Sequence, residues 1–414
     1  MRNINDVIKA GMCLGCGICT YSDQVEKMTF SDTRFQKIPV LKDKNNGDKL
    51  AFEICPGKGY NIIEESRNLY GEAKYDLELG HIYNHHAVCS NDSEILKNAS
   101  SGGIMTHAAI YMLEHNHVDR VLTTYFEFDN GVSTKCFLAK NRGEILQSQG
   151  SKYCPVDLSE AIQEIKLNNY RVAVIGTPCQ IAGIRKIQRI DEDFNRKVII
   201  TIGNFCGGIK SFKNINLIAR RKGINPRNIT SFRFRGNGQP GSMLIKESSG
   251  KTIEIPYPAY VGLNGLSKHL RCHLCVDATA ELADLACGDA WVPRFLKDAK
   301  PWSVLITRSK KADDVIKAMK ESGLITTMSI SSEEIKRSQH ENLTSKKIRQ
   351  KSRFLLYRAL GFRIPSFDGG YYENKLNLWT EIKVFSKHRI RYILELLNLY
   401  NITYKLRQFL KAPK

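Results

Sequence analysis

No stretch of the chain is long and apolar enough to span a bilayer, which argues against a helical membrane protein. The opening Met1-Arg2-Asn3-Ile4-Asn5-Asp6 holds no hydrophobic signal region. There is no internal repeat and no low-complexity tract, so solenoid and disordered classes do not apply. Zinc-finger, RNA-recognition and helix-turn-helix signatures are missing too. Acidic residues are in deficit: 42 Asp and Glu stand against 62 Lys and Arg, a net charge of +20. Without a matching motif, nucleic acid is the least supported explanation of that charge. An anionic membrane surface, acidic or phosphate-bearing partners, and a plain solvated basic surface remain. The 414 residues suffice for two or three domains with real cores.

Cysteine is plentiful, at twelve residues. With no secretion signal, that usage predicts a reducing, cytoplasmic setting with free or metal-bound thiols. The stretch Met12-Cys13-Leu14-Gly15-Cys16-Gly17-Ile18-Cys19 sets three cysteines at even spacing, and Cys55-Pro56 supplies a fourth. A cubane cluster needs four converging thiolates, and C-x-x-C-x-x-C lets one turn of backbone wrap three of its corners. Gly15 and Gly17 fit a sharply bent loop whose amides approach the sulfides. Structural zinc usually takes cysteines in two separated pairs, and three cysteines this close cannot pair tidily as disulfides. The reading is one 4Fe–4S cluster on Cys13, Cys16, Cys19 and Cys55.

Residues 1–75 then form a ferredoxin-like module with a polar loop over 42–49. His81, His85 and His86 have no recognisable metal spacing and read as exposed or hydrogen-bonded. Ala99-Ser100-Ser101-Gly102-Gly103 leads into a helical pattern with Ile104, Ala108, Tyr111 and Met112 on one face. Small residues before a helix can cradle a phosphate of a nucleotide or flavin, or simply cap the helix. Residues 118–126 and 133–140 read as strands joined at Asp129-Asn130-Gly131, and a helix opens at Asp157 with Glu160 as capping partner. Residues 171–176, 180–190 and 198–203 form a parallel strand–helix–strand crossover. It delivers Cys179 and Cys206 beyond the C-terminal ends of neighbouring strands, the edge where open α/β sheets build sites.

The chain then turns β-rich. Ser231-Phe232-Arg233-Phe234-Arg235 alternates, a glycine-rich turn spans 236–241, and 248–251 marks a hairpin. Cys272-His273-Leu274-Cys275 follows. Joined to Cys179 and Cys206 it makes a second set of four, read as a second 4Fe–4S cluster against a four-cysteine zinc site. Cys89, Cys136, Cys154 and Cys287 read as buried free thiols. From about residue 330 the chain is helical and basic. Residues 381–414 hold eight Lys or Arg and two Glu, and Tyr392, Leu396, Leu399 and Tyr400 share a helical face. Such a helix either packs on its own domain or makes peripheral membrane contact.

In order, the motifs Cys13 to Cys19 with Cys55-Pro56, Ser100 to Gly103, Gly150 to Tyr153, Gly176 to Gln180, Asn204 to Gly208, Cys272 to Cys275 and Ala283 to Trp291 resemble the coenzyme F420 hydrogenase/dehydrogenase beta-subunit family. They cover most of residues 10–295. The resemblance implies an iron–sulfur flavoprotein with FAD (or FMN) in a mixed α/β domain, exchanging electrons with an organic acceptor such as the deazaflavin coenzyme. Some relatives are linked to polysaccharide biosynthesis. By the same likeness the second cluster falls on Cys179, Cys206, Cys272 and Cys275, and the flavin near Ser101, Gly102, Gly103, Lys152 and Thr177. Nothing transfers to the tail beyond Pro301, and Cys287 stands where a small or aliphatic residue is expected.

The expected fold is α/β (mixed α+β): the 4Fe–4S module over 1–75, the family's N-terminal and C-terminal domains over 80–155 and 156–330, and a basic helical tail over 331–414. Clusters move single electrons and hydride acceptors take two, so a flavin is the natural switch between them. Electrons are expected to pass between the first cluster, the second and the flavin, and on to a small organic acceptor. Ser100 and Asn204 border the expected flavin site. Lys152 and Arg235 are candidates for holding its anionic groups, and Asp289 for a polar contact. A ferredoxin or a partner oxidoreductase subunit would complete the chain of carriers. The rival readings are an electron-transfer subunit without its own substrate site and a zinc-stabilised interaction protein.

Overall fold

The structure is a computed structural model that describes residues 1–31, 36–43, 48–236, 240–260, 268–372, 376–397 and 399. Parts of the expected 42–49 loop and 236–241 turn, and Tyr400 with all of the sequence after it, lie outside the described residues.

One eight-stranded sheet organises the chain. Its strands, labelled in chain order, are β1 (Asn84–Ser90), β2 (Arg120–Glu127), β3 (Ser133–Ala139), β4 (Val172–Gly176), β5 (Val198–Asn204), β6 (Leu285–Asp289), β7 (Ser303–Thr307) and β8 (Ile325–Met328). The spatial order is β8-β1-β7-β6-β5-β4-β2-β3. The centre, β6-β5-β4-β2, is parallel, and both margins are antiparallel. Hydrophobic runs such as Val172-Ala173-Val174 suit a strand buried on both faces. Successive residues alternate between two cores: Val172 and Val174 face one, Ala173 the other.

The principal helices are α1 (Ile104–Glu114), α2 (Ser159–Leu167), α3 (Pro178–Ile190), α4 (Gln350–Ala359) and α5 (Leu378–Leu396). The crossover β4–α3–β5 is as the sequence predicts. The helix expected to open at Asp157 instead begins at Ser159, because the Asp157 carboxylate accepts from the Ser159 N–H and pairs with Lys37 at 2.8 Å. A separate three-stranded antiparallel sheet holds Ile229–Arg233, Ser242–Glu247 and Thr252–Pro256.

The first cysteine loop packs directly onto the main sheet's helices. Met12, Cys13, Ile18, Cys19 and Cys55 share one core with Ile181, Leu274 and Val276. Gly183 of α3 leaves room for Ile18, whose nearest atom would be 2.7 Å from an added Cβ. The tail is helical and tied down: Arg349 and Arg353 both pair with Glu381 of α5. His81 is buried with its ring beside Tyr75, and His85 Nε2 lies 3.2 Å from Ser332 Oγ. Among the described residues no helix is long and apolar enough to cross a membrane.

Candidate functional site

Each predicted set of cysteines comes together. Burial, then the neighbouring Cys55, with Cys179 and Cys13 adding, pushes the Cys16 thiol well above its ordinary value. Cys19 is raised in the same way by burial and by Cys55, Cys16 and Cys13. In the second set, burial and then Cys206, with Cys272 and Cys275, lifts Cys179 to about 12. Cys272 rises to about 11 through burial and Cys206. For Cys275 burial is the largest influence, yet Lys346 and Arg271 outweigh it and hold the thiol below its usual value. Cys16 and Cys179 influence each other's surroundings, so the two sets are neighbours.

Among the described residues no three His, Cys, Asp or Glu side chains converge on the point a single metal ion would occupy. The donor set suits a larger cationic core. Cysteines packed this closely would repel one another once ionised, and an iron–sulfide core would remove that cost while taking soft ligands. The remaining Cys89, Cys136, Cys154 and Cys287 are buried and free, as expected.

The glycines of the first loop serve a tighter purpose than the sequence suggests. Gly15 and Gly17 have φ of +67° and +75°. An added Cβ would meet the Lys37 carbonyl at 2.7 Å and the Asp157 carboxylate at 2.3 Å, respectively. They let neighbouring chain close over the loop, and the Leu158 N–H donates to the Cys16 carbonyl at 3.0 Å.

Arg271 joins the two sets. It is 1 % exposed, its Nε donates to the Gly57 carbonyl at 3.0 Å and its Nη2 to the Pro56 carbonyl at 2.9 Å. It therefore fastens the segment after Cys55 to the segment before Cys272. Lys346 Nζ lies 3.6 Å from Cys275 Sγ and donates to the Asp277 carbonyl at 2.6 Å. Sequence reasoning missed both residues. Adjacency to Cys272 was the only signal for Arg271, and Lys346 lies in the unread tail.

A pocket of about 450 Å³ opens beside the second set, and Cys206 is in its wall. That volume suits a cofactor or drug-sized ligand. Ser100, Ser101, Gly103, Lys152, Thr177, Asn204 and Arg235 line it, together with Asp289. The first residues of α1 and of α3 both border it, so two positive helix ends meet there. Gln180 Oε1 accepts from the Thr177 N–H at 2.9 Å and fixes the start of α3. Two buried oxygens on the lining, Ser100 Oγ and Gln149 Oε1, have no hydrogen-bond partner among the described residues. Unpaired buried oxygens beside two helix N-termini fit a ligand with phosphate and hydroxyl groups.

Three predicted residues play roles other than the ones expected. Gly102 is packed away from the pocket: an added Cβ would lie 2.2 Å from the Val88 carbonyl. Arg235 already forms an ion pair with Asp289, and its Nη2 donates to the Ser100 carbonyl at 2.7 Å. It shapes the Ser100 loop. Lys152 Nζ donates to the carbonyls of Ser148, Gln149 and Gly150. Burial pulls it down to about 7, while three acceptors match the three donors of an ammonium. The pocket lining also includes Tyr153, Trp291, Gln339 and Asn342, the last two from the tail.

Two family models match this chain. They describe the two ends of the coenzyme F420 hydrogenase/dehydrogenase beta subunit: its N-terminal part matches residues 86–163 and its C terminus matches residues 169–333. The chain belongs to the coenzyme F420 hydrogenase/dehydrogenase beta-subunit family. The beta-subunit family is one of oxidoreductase components. Coenzyme F420 hydrogenase subunit beta of Methanococcus voltae is 27 % identical over 67 % of this chain and 95 % of its own length. Coenzyme F420-dependent sulfite reductase of Methanocaldococcus jannaschii is 25 % identical over 76 % of this chain. The match spans only 47 % of that enzyme, about half its length. A chain of the F420-reducing [NiFe] hydrogenase complex from Methanosarcina barkeri shares the fold, with a TM-score of 0.53 and 24 % identity over 68 % of this chain and 94 % of that one.

Proposed function

We propose that this beta-subunit-family chain is an iron–sulfur flavoprotein oxidoreductase. It would hold one 4Fe–4S cluster on Cys13, Cys16, Cys19 and Cys55, a second on Cys179, Cys206, Cys272 and Cys275, and FAD or FMN in the pocket. The observation that carries the reading is Cys206: one ligand of the second set is part of the wall of the pocket. First set, second set and pocket thus adjoin in that order. A bound flavin would supply the exchange between single electrons and hydride.

The chain's own groups have assignable roles. The starts of α1 and α3, with the Ser100 and Ser101 hydroxyls, receive the anionic part of the cofactor. Lys152 holds the 148–150 turn at the edge of the pocket. Arg235 and Asp289 position the Ser100 loop. Thr177, the N-cap of α3, belongs to that anion-facing helix start, and Asn204, at the end of β5, lines the pocket beside Cys206. The acceptor is a small organic molecule, coenzyme F420-like or a biosynthetic intermediate such as one of polysaccharide assembly. Because several relatives are named as subunits, a partner oxidoreductase subunit is the favoured electron donor over a free ferredoxin.

Anaerobic purification followed by iron, sulfide and flavin analysis tests this. Mass spectrometry of the released cofactor should return FAD or FMN, and turnover of a small acceptor by the isolated chain should follow. Zinc in place of iron would defeat the cluster assignment. Flavin without turnover would leave an electron-transfer subunit.

A further inference from the structure

We propose that the outward face of α5 is a docking surface for an anionic lipid bilayer. This inference stands apart from the cofactor reading, because it rests on which way the helix faces. In a helix that merely packs on its own domain, the apolar stripe turns inward. In α5 three polar residues turn inward, beside Phe385, which packs on Tyr357 and Phe362. Glu381, His388 and Glu395, spaced seven apart, are 1 %, 7 % and 4 % exposed. Each is bonded to the body of the protein. Glu381 pairs with Arg349 and Arg353, His388 Nε2 lies 2.9 Å from the Lys268 carbonyl, and Glu395 accepts from Ser211 at 2.9 Å.

The opposite face is apolar and open. Trp379, Ile382, Ile390, Ile393 and Leu397 are 67 %, 39 %, 58 %, 46 % and 59 % exposed. With Ser386 between them they form one stripe at helical spacing. Leu376 and Leu378 extend it at the start of the helix. Contiguous apolar surface of this kind marks an interaction site.

Charge selects the occupant. Lys383 and Lys387 are exposed along one edge of the stripe, and Lys383 Nζ sits 5.3 Å from the Trp379 ring centre. The sequence after α5, residues 398–414, adds Lys405, Arg407, Lys411 and Lys414 and no acidic residue. An apolar stripe with an interfacial tryptophan and basic flanks meets both requirements of an in-plane membrane helix: insertion among acyl chains and attraction to anionic headgroups. Because no described helix can cross a membrane, the helix would lie in the surface plane.

Flotation of the full anaerobic chain with vesicles tests this. Binding to phosphatidylglycerol-containing vesicles should exceed binding to pure phosphatidylcholine on the order of tenfold and weaken with added salt. The double variant Ile390→Glu, Ile393→Glu should lose roughly tenfold or more in binding while keeping its iron content and melting temperature. Tryptophan emission should shift to the blue on anionic vesicles, and Trp379→Phe should abolish the shift. That readout stands even where the double variant fails to fold. Equal binding to both lipids, undiminished binding by the folded double variant, or an unchanged shift in Trp379→Phe would overturn the proposal. So would a wild-type dimer in sedimentation that the double variant dissolves, which would make the stripe a contact between copies.

Discussion

A methyl group at Gly102 would press on the Val88 carbonyl at 2.2 Å and the Ser303 N–H nitrogen at 2.8 Å, both backbone atoms of the sheet. Gly102→Ala should therefore cost about 3 kcal/mol of stability, read by denaturant unfolding. Gly150, unlike Gly102, has a positive φ, at +90°, but an added Cβ would find its nearest atom 3.9 Å away. Gly150→Ala should cost only about 1 kcal/mol, the strain of the backbone conformation alone. Flavin affinity is expected to track the neighbouring hydroxyl instead. Ser100→Ala removes an unpaired hydroxyl from the pocket wall and should weaken flavin binding by about 1 kcal/mol with no change in melting, measured by titration of flavin into stripped protein. The Ser-Ser-Gly-Gly run was legible as a small-residue loop before a helix, and Ser100, Ser101 and Gly103 line the pocket. It could not divide the labour within it, because the Val88 and Ser303 backbone that fills the space beside Gly102 comes from distant strands.

Lys346 offers a residue-scale test of the second set. An ammonium 3.6 Å from Cys275 Sγ favours whichever state of the cluster is more negative, which is the reduced one. Lys346→Met should lower the midpoint potential of one centre by roughly 100 mV, from a unit charge at an effective dielectric near 20, and leave the other unmoved. Potentiometric EPR distinguishes the two.

Among the elements, the β4–α3–β5 crossover was legible because its signal is local: two apolar runs, a helix between them, a cysteine after each strand. The helix start at Ser159 was misread by two residues because Asp157 answers to Lys37, 120 positions away. Arg271 belongs to the same class of long-range contact. Its acceptors, Pro56 and Gly57, are 215 and 214 positions distant. Arg271→Leu would strand two buried carbonyls and loosen both cysteine loops, at about 3 kcal/mol or more. Iron per chain should fall in both centres. By contrast Cys16→Ser and Cys275→Ser should each remove one centre and leave the other EPR-active. Loss of all iron in either cysteine variant would mean that the two sets are not separate sites.

At the scale of the whole molecule, intact protein should carry roughly eight irons, four per set of four cysteines. A value near four would remove the second cluster. The sheet itself was only partly legible. The parallel centre follows from apolar runs, but nothing local says that β1 pairs with both β7 and β8. That pairing has a consequence for how the protein is made. β1 ends at Ser90, and β8 does not begin until Ile325. At about 5–20 residues per second, a ribosome needs roughly ten seconds or more to reach β8 after β1 has left the tunnel. For most of that interval the first four cysteines are outside while Leu274 and Val276 of their shared core have yet to be made, and Phe354 and Tyr357 follow later still. A nascent chain therefore presents those thiols to oxygen and stray metals before it can shelter them, and a cluster held by them would have to wait for the C-terminal half.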